Sequence, residues 1–200
     1  LCLWGDMAED IATGGKGIRD LEKLRESGLV QNFVMVVFPW TSTTPLKALK
    51  GGYTKGIVDA FIFYYNPLQR FASNELWDEI IKQEYPIVGM RTVSGGPVLS
   101  LRDIPGFAWV KYLQERAVEV APIFERSGVA SWTEFCVRYA HSCPNLIATV
   151  GTSSKIERLQ EFLDIAKNIK PLPQSILEEI SVLQYRWSDE TDIKAEPWTM

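Results

Sequence analysis

A rhythm runs through this chain almost from end to end: short, continuous apolar runs alternate with amphipathic stretches of helical period. The runs fall at 1–4, 32–38, 58–65, 86–90 and Leu146–Val150. Runs of this kind, unbroken instead of alternating, mark strands buried on both faces of a parallel sheet. Between them Ile18, Leu21, Leu24 and Leu29 recur at helical spacing, and Gly28 sits where a helix should stop. Apolar stripes of the same period predict helices over 74–84, 131–142, 155–167 and 173–183, with Ser131 as an N-cap. The wider gap between Met90 and Leu146 holds an extra helical stretch, 107–126, expected to bend or break near Pro122. The tail from 187 to 200 is polar and without period, and should wrap the surface as irregular chain.

Strand–helix alternation implies an α/β fold built on a parallel sheet. Periodicity alone leaves two architectures open, a doubly wound open sheet and a stretch of (β/α)8 barrel. An open nucleotide-binding sheet would carry GxGxxG after its first strand. The clusters Gly14-Gly15-Lys16-Gly17, Gly51-Gly52 and Gly95-Gly96 lack that spacing, which weighs against the open sheet.

Composition narrows the function classes. A net charge of −4 and a pI near 5.2 supply no basic footprint for nucleic acid or for an anionic membrane. No apolar run approaches the ~18 residues of a membrane-spanning helix. The opening Leu1-Cys2-Leu3-Trp4 has neither a basic leader nor a cleavage site, and no initiator Met precedes it. It reads either as a processed start or as a chain whose upstream sequence lies elsewhere. Cys2, Cys136 and Cys143 form no CxxC pair and leave one over in any pairing, which suits the reducing cytoplasm. With His141 as the single histidine, no zinc-type cluster is expected.

One segment carries chemistry by itself. Gly151-Thr152-Ser153-Ser154 closes a strand and opens a helix, offering free backbone N–H groups, hydroxyls and the positive end of a helix dipole. Lys155 and Arg158 add charge in the first turns, and a guanidinium can hold a phosphate with two parallel hydrogen bonds. The same residues serve equally well as an ordinary helix cap with a solvated basic face.

Three stretches, in order, resemble the second half of an aldo-keto reductase. Residues 17–30 resemble that family's fourth helix and the turn into its fifth strand. Residues 58–68 resemble its sixth strand, ending in a Tyr-Asn pair at Tyr65-Asn66. Residues 147–161 resemble its eighth strand and following helix, and 86–96 its seventh strand with a glycine-bearing loop. The resemblance implies a (β/α)8 barrel present here as about five βα units, over residues 1–185, with 186–200 an irregular tail. It implies an NADPH-dependent oxidoreductase reducing aldehydes or ketones by hydride transfer. Tyr65 would stack on the nicotinamide with Asn66 beside it. Ser94, Gly95 and Gly96 would run under the pyrophosphate. Gly151, Thr152, Ser153, Ser154, Lys155 and Arg158 would hold the 2′-phosphate end.

Departures from the family pattern matter as much. Ile62 stands where the family has a carboxamide-binding glutamine, and Phe162 where it has an adenine-contacting asparagine. The Ser-Asn closing the fifth strand is replaced by Phe38-Pro39-Trp40-Thr41-Ser42, where only Thr41 and Ser42 are polar. Of the family's catalytic Asp, Tyr, Lys and His, the first three have no matching segment, and Trp4 or Gly5 takes the place of the histidine. No catalytic residue is therefore expected in this chain, which alone should be inactive. The alternative is a degenerate, non-catalytic barrel that binds a nucleotide or a protein partner. Five βα units leave two unpaired parallel edges and an uncovered interior. The remaining strands are expected upstream in the same gene product, in a partner chain, or in a second copy.

Overall fold

The computed structural model describes residues 1–38, 42–93, 110–151, 153 and 155–194. In chain order the elements are β1 (Cys2–Leu3), α1 (Asp6–Ala12), α2 (Gly17–Glu26), β2 (Val34–Val36), α3 (Thr43–Lys50), β3 (Ala60–Asn66), β4 (Gln69–Arg70) and α4 (Asn74–Lys82). They continue as β5 (Ile87–Met90), α5 (Val110–Arg126), α6 (Trp132–His141), β6 (Leu146–Val150), α7 (Ile156–Lys167) and α8 (Gln174–Lys194). The sheet runs β1-β2-β3-β5-β6, with the short β4 folded back antiparallel on β3. β1 pairs parallel with β2, and β2 with β3, in the register Met35↔Phe61 and Val36↔Ile62. Strand order follows chain order with no reversal, which is the barrel alternative and not the doubly wound one.

The residues cluster into two compact units, one of Leu1–Phe63 with Phe71–Val88, the other of Tyr64–Arg70 with Gly89–Met200. In the first, α1 packs on α3 and α3 on α4. Leu3, Ile11, Phe33, Met35, Phe61, Phe63, Leu76 and Ile80 are fully buried. The rings of Phe61 and Phe63 meet Tyr85 and Trp77 edge-on, a favoured aromatic geometry. α2 ends where Gly28 takes a φ of +75°, as its position predicts. Arg25, on the last turn of α2, donates to the carbonyls of Gly56 and Ile57 and to Asp59 Oδ2 at 2.6 Å. The same Asp59 oxygen accepts the Phe33 N–H at 2.7 Å, so one carboxylate ties the helix to the entries of β2 and β3.

In the second unit Phe124, Trp132 and Phe135 form an aromatic cluster with centroids 5.2–5.5 Å apart. Ser131 caps α6 as expected, its hydroxyl accepting the Glu134 N–H. α5 runs through Pro122 without ending.

Four features depart from the sequence reading. α1 and α3 fall in stretches read as connections. α3 holds Pro45, which looks like a breaker but lies in the first turn, where no intrahelical N–H bond is lost. β4 is too short to leave a period. The last helix continues to Lys194, so 187–194 are helical and not irregular. Past the predicted helix end at 183 it buries the polar Gln184 and, further on, Trp187.

The fourth departure bears on function. The strands are not covered equally on both faces. In β3 Phe61, Phe63 and Tyr65 are buried while Ile62 and Tyr64 are half-buried; β2 and β5 alternate in the same way. β6, at the end of the sheet path, leaves Ile147 and Val150 exposed. Helices cover one face, whereas the other face of a barrel strand is covered only by side chains from the rest of the barrel.

Replacing Asp59 with Ala strands the Phe33 N–H and removes the Arg25 ion pair, leaving Arg25 only its two carbonyl contacts, and should cost about 2 kcal/mol in urea unfolding. A loss below about 0.5 kcal/mol would show that the pair does not anchor α2.

Candidate functional site

In parallel α/β folds ligands sit at the C-terminal ends of the strands. The relevant ends here, Tyr64–Asn66, Met90–Val93 and Val150–Arg158, all belong to the second unit. Strand pleating sends neighbouring side chains to opposite faces, and this separates Tyr64 from Tyr65.

Tyr65 takes the helix-facing side. It is 5% exposed, and its ring lies against Tyr139 of α6 at 5.2 Å between centroids, tilted by 35°. It is therefore not presented as the open stacking platform that the resemblance implies. Asn66 is fully buried and holds the backbone together: its Nδ2 donates to Gln69 Oε1 and to the Arg91 carbonyl, and its Oδ1 accepts the Leu68 N–H. Gln184 of α8 donates to the Asn66 carbonyl at 3.0 Å and accepts from Tyr139 Oη at 2.9 Å. Arg116 donates to the Leu68 carbonyl and lies over the Trp187 ring, while Arg70 lies over Tyr185. Hydrogen bonds of this kind are what the buried Asn66, Gln69 and Gln184 side chains require. Burial holds the Tyr65 phenol well above its ordinary value and pushes Tyr139 up to about 12. The neighbouring Cys143 thiol is raised by the same cause.

On the other face stands Tyr64, half-buried, with the Arg91 guanidinium 4.7 Å from its ring centroid. Neither residue was singled out from sequence. An arginine just past an apolar run is an ordinary surface signal, and its backbone conformation, φ +48°, leaves no trace in composition.

At the end of β6, Gly151 is exposed and lies beside the Phe162 ring of α7; a Cβ there would stand 3.6 Å from it. Ser153 Oγ accepts the Lys155 N–H at 3.1 Å, shaping the turn into the helix. Lys155 and Arg158 are both exposed, and neither side chain makes an ion pair or hydrogen bond among the described residues. Glu157 stands in the same first turn. Of the other expected contacts, Ser94, Gly95, Gly96, Thr152 and Ser154 lie outside the described residues, as does Thr41. Ser42 Oγ is committed to the Phe38 carbonyl and the Ser73 N–H. Trp4, at the expected histidine position, is 68% exposed. His141 closes α6, and partial burial lowers its pKa.

No protein-family model and no curated protein matches the sequence. Solved structures do resemble the fold. The aldo-keto reductase AKR11C1 from Bacillus halodurans, in its holo form, aligns with a TM-score of 0.60 at 19% identity over 84% of this chain and 55% of its own. The thermostable aldo-keto reductase Tm1743, solved with the inhibitor epalrestat, aligns with a TM-score of 0.61 at 14% identity over 90% and 57%. An aldo-keto reductase from Klebsiella pneumoniae in complex with NADPH gives 0.55 at 13% identity over 92% and 57%. The chain thus spans just over half the length of these proteins. At such identity the likeness establishes the fold: an incomplete barrel of aldo-keto reductase type.

Alkaline titration tests the closed Tyr65–Tyr139 network. Above the ordinary tyrosine pKa near 10 the unfolded chain sheds these protons first. Ionisation then favours unfolding, so the stability they contribute is intact below about pH 10 and is lost as pH rises through about 12. Tyrosinate absorbance should show two phenols ionising only with the unfolding transition. All seven tyrosines titrating together near 10 in a folded chain would show the network to be open.

Proposed function

We propose that this chain is the cofactor side of an NADPH-dependent oxidoreductase of aldo-keto reductase type, acting on aldehydes or ketones. The observation that carries the reading is the set at the head of α7. Ser153, Lys155 and Arg158 bring a hydroxyl, an ammonium and a guanidinium to one helix N-terminus, with both cations exposed and uncommitted among the described residues. That donor chemistry fits a phosphate monoester, the group that separates NADPH from NADH. Two of the solved neighbours carry the matching ligands, NADPH in one and NADP with acetate in the other.

The bound nicotinamide would supply the hydride. Arg158 and Lys155 would neutralise the 2′-phosphate, Ser153 would shape the turn beneath it, and exposed Gly151 would let the backbone approach. The proton donor for the carbonyl oxygen lies outside these residues: His141 is on α6 and Trp4 replaces the expected histidine. The missing strands and their acid–base groups would come from further sequence or a partner chain. All three cysteines are free, in keeping with a cytoplasmic setting. No helix among the described residues is long and apolar enough to cross a membrane.

A second reading, a barrel that binds nucleotide without catalysis, is favoured by the burial of Tyr65 and Asn66 under α6 and α8. NADPH binding by a protein that turns over no aldehyde or ketone would select it.

Arg158→Ala should weaken NADPH about ten-fold or more while changing NADH by less than about three-fold, measured by titrating nucleotide fluorescence. Equal losses for the two nucleotides would remove the 2′-phosphate role.

A further inference from the structure

Two glycine clusters that fit no nucleotide motif, Gly14-Gly15-Lys16-Gly17 and Gly51-Gly52, meet at one side chain. A Cβ on Gly14 would stand 2.8 Å from Cε1 of the Tyr53 ring, and one on Gly51 would stand 2.6 Å from Cε2, at the opposite edge. Gly14 has a reason of its own to be glycine, a φ of +68°. Gly51 has no such reason, because its φ of −75° and ψ of −9° suit any residue. What a side chain there would meet first is the Tyr53 ring. The backbone holds the ring in place as well. The Gly52 N–H bonds the Leu49 carbonyl and the Tyr53 N–H the Ala48 carbonyl, the paired bonds of a Schellman cap with Gly52 left-handed. A residue following such a cap commonly turns its apolar body onto the helix. Tyr53 instead stays 40% exposed, wedged between two glycines.

The ring forms one wall of an open cleft of about 740 Å³ between α1 and α3, a volume in the range of small-molecule sites. Ala12 and Leu46 belong to a lining that is mostly apolar. Thr43, Lys47 and Lys50 reach it from one face of α3, at the spacing that makes helical residues neighbours. Lys50 is paired with Glu75. The Lys47 ammonium, the Thr43 hydroxyl and the Tyr53 phenol make no hydrogen bond or ion pair among the described residues. Carbonyls in the last turns of α1 and α3 are met by the N–H groups of Thr13, Gly14, Gly51 and Gly52, so Lys47 is not spent on them. An apolar floor, an aromatic wall and an uncommitted cation beside a hydroxyl complement a small anion with a flat apolar body.

We propose that the cleft between α1 and α3 binds an aromatic monocarboxylate, its ring against Tyr53 and its carboxylate held by Lys47 and Thr43. Every residue of the site belongs to the first unit, so it stands whether or not the second unit holds a nucleotide.

The test is a ligand-observed NMR titration of the full chain with benzoate and with benzamide, its uncharged isostere. Benzoate should bind about five-fold more tightly, the scale of an exposed ion pair. Lys47→Gln should bring benzoate down to the level of benzamide and leave benzamide unchanged. Lys82→Gln, whose ammonium pairs with Glu79 on α4, should change neither. Tyr53→Leu, which keeps an apolar residue after the cap, should weaken both ligands, and so should Gly51→Ala, which puts a methyl group into the space of the ring. Thermal unfolding verifies each variant's fold, and Lys47→Gln, a surface change, decides the matter if either of the other two fails to fold. Equal affinity for benzoate and benzamide, or a Lys47→Gln variant that keeps the preference, overturns the proposal. Absence of saturable benzoate binding below about 10 mM overturns it too. So does loss of benzoate in Arg158→Ala with Lys47→Gln silent, which would assign the carboxylate to the head of α7.

Discussion

A parallel strand of a barrel has to bury two faces, and two different kinds of structure do it. Helices cover the outer face, and side chains of the other strands cover the inner one. In β2, β3 and β5 only the first cover is complete. Met35, Phe61, Phe63 and Ile87 are inaccessible to solvent, whereas Val36, Ile62, Tyr64 and Met90 remain half-open. This one-sided burial sets which residues can meet a ligand. β6 departs from this pattern, with no buried residue on either face, and α7 likewise carries no buried residue.

The helix-facing side ends in a polar assembly instead of an apolar plug. Tyr65, Tyr139, Gln184, Asn66 and Gln69 join β3 and β4 to α6 and α8 through hydrogen bonds of 2.9–3.1 Å and one ring contact. Such a network is costly if half-satisfied and specifying if complete. Its chief effect lies across the sheet. By gripping the Arg91 carbonyl through Asn66, it holds in place a residue whose side chain lies on the open face. Packing on one side of β3 thereby sets electrostatics on the other.

The basic groups near the strand ends are distributed accordingly. Arg25, Arg70 and Arg116 serve the architecture, each capping carbonyls or lying on an aromatic ring. Lys155 and Arg158 occupy the first turns of α7, where the helix dipole and the leading N–H groups also favour an anion.

Local chemistry was legible without coordinates. The βα rhythm, the stop at Gly28, the cap at Ser131, the strand Leu146–Val150 and the turn into α7 all follow from propensities acting within a few residues. The sheet's sequential order was legible only through the family resemblance. Side-chain direction was not legible. In Ala60–Asn66 both faces are apolar or aromatic, so no alternation tells Tyr64 from Tyr65; only the packing of α6 and α8 assigns the face. The same packing carries α8 past its apolar stripe, because Gln184 and Trp187 are buried by partners distant in sequence. The left-handed turn of Arg91 was equally hidden, since an amide 25 residues away holds it. The sequence by itself determined the elements other than α1, α3, β4 and the end of α8, since propensity and capping are local. The tertiary structure decided which face, which partner and which strain, since those depend on contacts that no local pattern encodes.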